Sequence, residues 1–222
     1  MNSATKKLCL DLEKHLQKNK IALFKKQHRD GKKKAKFSLR GSFKVGNGSC
    51  NPGHMKYVNK KPYFKKHTFK KVGVFTKPPN VQLAHKKISQ IKYIAYELAR
   101  EIIQKVDPDY AQGEYEVNFS CMDRPTHYVK RHVDDQDISH QYALGLGDYA
   151  GAKLRVWNKT QSNSEDIDYR HKVLKMDGRN YHQLVTNKFE GERFTVIWYK
   201  TYDHRKTQAD PILDTPEVVW SF

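Results

Sequence analysis

Arg193-Phe194-Thr195-Val196-Ile197-Trp198-Tyr199 alternates with a period of two and is rich in β-branched and aromatic residues, the pattern of a strand whose two faces do different work. On such a strand Arg193 and Thr195 point the same way, and a guanidinium beside a hydroxyl binds a carboxylate. Eleven residues before Arg193 stands His182, and 48 residues before His182 stands Asp134 of His132-Val133-Asp134. If His132 and Asp134 lie on a strand, they share a face and reach one metal from one sheet edge, with His182 joining from a distant strand. Two histidines and one carboxylate occupy a triangular face of octahedral Fe(II) and leave the opposite face for a co-substrate and O2.

The period of two recurs upstream. Segments 115–121, 128–133, 141–147, 153–157, 169–176, 183–186 and 193–199 read as seven short strands, which argues for a β-sandwich or barrel. Asp177-Gly178 marks a tight turn, and Gly145, Gly147 and Gly151 punctuate a second turn region. Before the strands, Ile88, Ile91, Ala95, Leu98 and Ile102 form one stripe of a support helix over 83–106, between Pro78-Pro79 and Asp107-Pro108. A shorter amphipathic helix is expected over 5–19 from Leu8, Leu12 and Leu16. The fold class is therefore α+β, mainly β, with a catalytic domain over 81–222 and a partly ordered basic region over 1–80.

Charge separates those two regions. Residues 1–80 carry 22 Lys and Arg against 3 Asp and Glu, whereas residues 81–222 carry 20 against 21, so the net charge of +18 is N-terminal in origin. Concentrated positive charge favours a polyanion, because displaced counterions drive binding to phosphate backbones. Lys65, Lys66, Lys70 and Lys71 alternate with Phe64, His67 and Phe69, a mixture suited to nucleic acid, although rings anchored on a core with lysines in water would read the same. A membrane surface fits less well, since the segment lacks a clean amphipathic face. Cys9, Cys50 and Cys121 show neither paired spacing nor a zinc pattern. With no signal peptide and no long apolar run, the expectation is a soluble intracellular protein, nuclear or cytoplasmic, acting at nucleic acid. No protein partner is legible.

His132-Val133-Asp134, the distal His182 and Arg193-Phe194-Thr195 together resemble the Fe(II)/2-oxoglutarate-dependent dioxygenases. The likeness covers roughly residues 115–200. His132-Val133-Asp134, Leu146-Gly147-Asp148-Tyr149-Ala150-Gly151-Ala152-Lys153-Leu154, Asp177-Gly178-Arg179-Asn180-Tyr181-His182 and Gly191-Glu192-Arg193-Phe194-Thr195 look most like the TET/JBP branch, which oxidises the methyl group of 5-methylcytosine or thymine in nucleic acid. Ala152 departs from the second glycine usual in that branch. The resemblance implies a double-stranded β-helix of jelly-roll, cupin-like type. It implies Fe(II) on His132, Asp134 and His182, 2-oxoglutarate held by Arg193 and Thr195, O2 as oxidant and ascorbate as reductant. Asn118, on the preceding strand, is expected to touch the co-substrate or the substrate.

Rival readings share much of this pattern. An AlkB-like dealkylase usually carries a second arginine six residues after the first, where this chain has Tyr199. A protein side-chain hydroxylase has the same metal pattern, and a non-catalytic nucleic-acid-binding protein retains the fold as a scaffold. Among other ligand candidates, Asp135 points away from His132 on a strand, Asp137 lies further along a loop, and His171 lacks the glycine turn before it. His127 and His140 flank the first ligands, where an ordinary half-exposed role suits them.

Overall fold

In the computed structural model, which describes residues 3–24, 42–46, 55–58, 61–64, 79–112, 115–123, 130–200 and 209–222, the chain begins with helices α1 (Ser3–Lys18) and α2 (Lys20–Leu23). Strands β1 (Ser42–Gly46), β2 (Met55–Val58) and β3 (Lys61–Phe64) precede helices α3 (Pro79–Val106) and α4 (Pro108–Gln112). Then follow β4 (Glu116–Met122), β5 (Gln141–Leu146), β6 (Tyr149–Trp157), β7 (Ser164–Ile167), β8 (Lys172–Met176), β9 (His182–Gly191), β10 (Arg193–Tyr199) and β11 (Glu217–Ser221). One sheet runs β1-β4-β10-β5-β8-β11, a smaller one β7-β6-β9, and β2 pairs with β3. From β5 to β10 the chain passes larger, smaller, smaller, larger, smaller, larger sheet, and the pairings of these strands are antiparallel. The described residues thus form a mixed fold of helices and antiparallel sheets.

The alternation of β10 sorts the interior into two chemistries. Phe194, Val196 and Trp198 are fully buried on the face that meets the helices, in one cluster with Val117, Phe119 and Leu144 from neighbouring strands. Leu12 and Leu16 of α1 and Ala99, Ile102 and Ile103 of α3 close that cluster. Trp198 Nε1 also donates to the Ala99 carbonyl at 3.2 Å, so β10 is tied to α3 by a bond as well as by packing. The opposite face presents Arg193, Thr195 and Ile197. A sheet with one greasy and one polar face supports a pocket without opening the core to water.

The helices follow the expected periodicity with shifts. α3 starts at Pro79, four residues before the expected 83, because proline needs no amide partner in the first helical turn. Its buried stripe is Ala95, Tyr96, Ala99, Ile102 and Ile103, rotated from the expected one because α1 packs on α3 as well as the sheet, leaving Leu98 and Ile91 half-buried. In α1 the buried residues are Thr5, Cys9, Leu12 and Leu16, and Leu8 lies at the margin. Asp107 ends α3 and starts α4, accepting the Tyr110 amide on Oδ1 at 2.8 Å. Among the described residues no helix is long and apolar enough to cross a membrane.

Strands 115–121, 141–147 and 193–199 form within a residue of expectation. β6 and β9 are longer than expected, at nine and ten residues, because the smaller sheet is half exposed and its hydrophobic alternation is weak. β7 carries no strand signal for the same reason, with Ser164, Glu165 and Asp166 all exposed. β11 is likewise absent from the expected strands. The expected strand 128–133 is corrected: residues 130–133 form no strand, and only an isolated bridge at His132 remains, while 124–129 lie outside the described residues. Gly145 lies within β5 and Gly151 within β6, so of the expected turn only Gly147 sits in the β5–β6 connection. Gly151 is a bulge with φ +73°, and a Cβ there would lie 2.1 Å from the Asn187 carbonyl oxygen.

Because Leu12 is completely buried in the shared core, Leu12→Ala is expected to cost about 2–5 kcal/mol in urea unfolding. An unchanged midpoint would make α1 a peripheral arm instead of part of the domain.

Candidate metal centre and its pocket

Two short backbone ladders bring the ligands together. His132 donates its amide to the His182 carbonyl at 3.1 Å and His182 returns the bond at 2.9 Å, the exchange of a hydrogen-bonded antiparallel pair. The two imidazoles consequently lie side by side, with ring centroids 4.3 Å apart. Two residues on, the Asp134 amide donates to the Gly178 carbonyl at 2.8 Å, which seats the carboxylate over the 177–180 turn. That turn is closed by the Asn180 amide on the Asp177 carbonyl at 3.1 Å, and Asp177 is held by Arg179. Burial pushes the Asp177 carboxyl upward, but the Arg179 guanidinium and two backbone amides outweigh it and hold it below the usual carboxylate value. His132, Asp134 and His182 thus place one donor atom each within 4.8 Å of one another.

The imidazoles are set for metal. His132 Nδ1 lies 2.8 Å from the Lys130 carbonyl and His182 Nδ1 lies 3.0 Å from the Asn180 carbonyl. A carbonyl oxygen only accepts, so each Nδ1 carries a proton and Nε2 is the ring nitrogen left for a metal. Burial pushes the His182 pKa down, outweighing the attraction of Asp134, so the ring stays neutral. Its Nε2 then faces Asp134 Oδ2 across 3.7 Å, lone pair against lone pair. A cation between them removes that repulsion. The donor set of two imidazoles and one carboxylate fits a divalent metal of the Fe(II) type on a single face.

The pocket behind the ligands is a cavity of about 240 Å³ floored by the polar face of the larger sheet. Arg193, Thr195, Asn118, Tyr169 and Gln141 line it. Arg193 is 6% exposed, and its guanidinium donates through Nη2 to the Tyr169 hydroxyl and lies 5.1 Å from the Tyr169 ring centroid. Arg193 Nε, Thr195 Oγ1 and Asn118 Oδ1 are buried with no protein partner. A buried unpaired donor costs about 1–3 kcal/mol, more when charged, so this floor is made to receive a polar ligand. A fixed guanidinium beside a free hydroxyl selects an anion, and a carboxylate most readily.

A second cavity of about 290 Å³ adjoins the first and shares Asn118, Asp134, Gln141 and Ile197 with it. Val133, Asp135, Gln136, Asp137 and Tyr199 complete its wall. Its lining is rich in hydrogen-bond acceptors. Asp135 is exposed on a turn and Asp137 is buried in this annex, and neither joins the three donor atoms that converge.

All six residues singled out for metal and co-substrate from the sequence line the first cavity: His132, Asp134, His182, Arg193, Thr195 and Asn118. The four lysines Lys65, Lys66, Lys70 and Lys71 lie outside the described residues, as do Cys50 and His127. His140 faces away, between the rings of Tyr110 and Tyr142 at 5.3 Å each. His171 lies beside Phe222 and Glu13. Two supporting residues carry no sequence signal: Gln141 Nε2 donates to Asp134 Oδ2 at 3.3 Å, and Tyr169 anchors Arg193. Both read as ordinary strand residues until the sheets are folded together.

No family model matches this chain, and no curated protein matches it. Among solved structures, a bsmA homologue from Methylobium petroleophilum PM1 is similar over 90% of this chain and 86% of its own, at 15% identity and a TM-score of 0.44. A Pseudomonas putida prolyl-4-hydroxylase is similar over 89% and 88%, at 13% identity and a TM-score of 0.43. An oxalate oxidase is similar over 39% of this chain, which spans only 42% of that enzyme, at 8% identity and a TM-score of 0.33. These likenesses concern the chain trace, and the chemistry rests on the residues themselves. Two histidines and a carboxylate, opening on a cavity with a buried arginine, are the donor set of a non-haem iron oxidoreductase of dioxygenase type.

Gly178 is the contact on which Asp134 rests. A Cβ there would lie 2.2 Å from Gln141 Nε2 and 3.0 Å from Asp134 Oδ2. Gly178→Ala is therefore expected to push Gln141 off the carboxylate and weaken divalent-metal affinity about tenfold or more, measured by titration with Co(II). Wild-type affinity would show that Gln141 does not hold the ligand in place.

Proposed function

We propose that this protein is an Fe(II)- and 2-oxoglutarate-dependent dioxygenase that oxidises the methyl group of a modified pyrimidine, 5-methylcytosine or thymine, in DNA. The observation that carries the dioxygenase part is the joint geometry of three converging donor atoms and the buried, partly unsatisfied Arg193–Thr195 pair in one cavity. Bound iron with 2-oxoglutarate and O2 supplies oxidative decarboxylation to succinate and CO2 coupled to oxidation of an unactivated C–H bond. His132, Asp134 and His182 hold the metal, Arg193 and Thr195 take the distal carboxylate of 2-oxoglutarate, and Tyr169 keeps the guanidinium aimed. Leu154, Met176 and Leu184 give the cavity an apolar wall beside the ligands. Ascorbate serves as a reductant of the iron.

Nucleic acid as partner is supported by the concentration of 22 basic against 3 acidic residues in positions 1–80. Lys65, Lys66, Lys70 and Lys71 are the proposed backbone contacts, and an extruded base is the group that enters the cavity. The acceptor-rich annex around Asp135 and Asp137 favours a base with an exocyclic amine, which cytosine has and thymine lacks. The phosphodiester stays outside these carboxylates. The same annex favours a second reading, hydroxylation of a basic protein side chain, since a cationic group pairs with the same acceptors. The TET/JBP likeness of residues 132–134, 146–154, 177–182 and 191–195 weighs for the base.

Supplied with Fe(II), ascorbate and 2-oxoglutarate, the protein is expected to release succinate and oxidised nucleosides from 5-methylcytosine-containing DNA, read by mass spectrometry. Asp134→Ala should abolish both, and Arg193→Ala should raise the 2-oxoglutarate concentration for half-maximal rate about ten- to a hundredfold. Succinate coupled only to a lysine- or arginine-rich peptide would select the second reading, and no succinate with any polymer would dismiss the enzyme. Neutralising the four lysines should lower the salt slope of DNA affinity by up to about 0.9 for each phosphate they neutralise. An unchanged slope would remove them from the interface.

A further inference from the structure

The metal ligands have a second set of neighbours on the reverse of the ladder that joins them. Arg131 precedes His132, Tyr181 precedes His182, and Trp157 follows Val156, the register partner of His182. Because adjacent residues point to opposite faces of extended chain, these three turn outward where the ligands turn inward. The Arg131 guanidinium carbon sits 4.4 Å from the Trp157 ring centroid and 4.2 Å from the Tyr181 ring centroid, a planar cation between two rings. Its Nη2 donates to Gln161 Oε1 in the β6–β7 connection. Trp157 and Tyr181 are themselves tied by the Trp157 amide on the Tyr181 carbonyl at 2.8 Å.

This sandwich bears directly on His132. The peptide that joins Lys130 to Arg131 carries the carbonyl that accepts the His132 Nδ1 proton at 2.8 Å. Holding the Arg131 side chain therefore holds the acceptor that fixes the tautomer and direction of a metal-binding ring. On the C-terminal side of His132 the segment is secured by backbone bonds from Asp134 to Gly178 and from Ile138 to Lys200. On the N-terminal side, among the described residues, the Arg131 clamp is the long-range tie.

We propose that Arg131 is a positioning residue of the metal centre, acting through the Trp157–Tyr181 sandwich and the Lys130 carbonyl to orient His132. The proposal rests on the metal reading of His132, Asp134 and His182. It differs from a charge effect, because the guanidinium is aimed at two rings and an amide and not at the metal. It differs from a folding role as well, because Arg131 is exposed and outside the apolar clusters.

The test is Co(II) binding to the full chain, followed by the visible absorption of the bound ion, with the thermal midpoint of the metal-free protein measured alongside. Arg131→Ala is expected to weaken Co(II) affinity about tenfold and to alter the absorption band while leaving the metal-free midpoint unchanged. Arg131→Lys, which retains the cation but not the flat stack or the bond to Gln161, should recover part of the affinity, and the pair Trp157→Leu and Tyr181→Leu should reproduce the alanine effect. Wild-type affinity and spectrum in Arg131→Ala would overturn the proposal, as would an affinity loss matched by an equal loss of metal-free stability. Complete recovery in Arg131→Lys would reduce the effect to charge and overturn the clamp. Wild-type protein that binds no Co(II) would remove the metal reading itself, a failure distinct from the others.

Discussion

The reciprocal backbone bonds between His132 and His182 are the constraint from which the centre is built. They join a segment without strand structure to the first residue of β9, and they do it at the residues whose side chains must meet. Once the two amides and carbonyls are exchanged, the rings are adjacent whatever the loops on either side do. The Asp134 amide on the Gly178 carbonyl repeats the device two residues later and adds the carboxylate. Donor geometry is thus written in main-chain hydrogen bonds, which are less sensitive to side-chain substitution than a packed surface would be.

The two-faced larger sheet supplies what that ladder cannot. Its outer face, filled by Phe194, Val196 and Trp198 against α1 and α3, gives the rigidity that a pocket subtracts from a fold. Its inner face is then free to carry groups that would be costly in a core. Arg193 and Thr195 show the cost directly, with a guanidinium nitrogen and a hydroxyl buried and unpaired. Unsatisfied groups of this kind persist where a ligand completes them. Tyr169 shares the burden by taking one guanidinium bond and leaving the remainder directed into the cavity.

Charge is divided unevenly along the chain. The basic residues gather in positions 1–80, whereas the annex beside the metal holds Asp135 and Asp137. α1 and α2 show that the first residues of that basic region also contribute core, through Cys9, Leu12, Leu16, Leu23 and Phe24.

Much of the centre was legible from residue types and order. His132-Val133-Asp134, His182 and Arg193-Phe194-Thr195 could be read because a facial donor set and an anion-binding strand demand particular side chains at particular phases. β10 was equally plain, since a central strand buried on one face and polar on the other leaves a clean alternation. Tertiary structure decided the rest. That His132 lies in a one-residue bridge and not a strand depends on β9 arriving beside it, which no local pattern records. Gln141 and Tyr169 support the site only because β5 and the segment before β8 fold onto the same cavity, and the Arg131 sandwich needs three distant segments to coincide. The sequence by itself determined which atoms can bind, because chemistry belongs to residue types. Only the folded chain decided what holds those atoms still, because that depends on contacts between residues far apart along it.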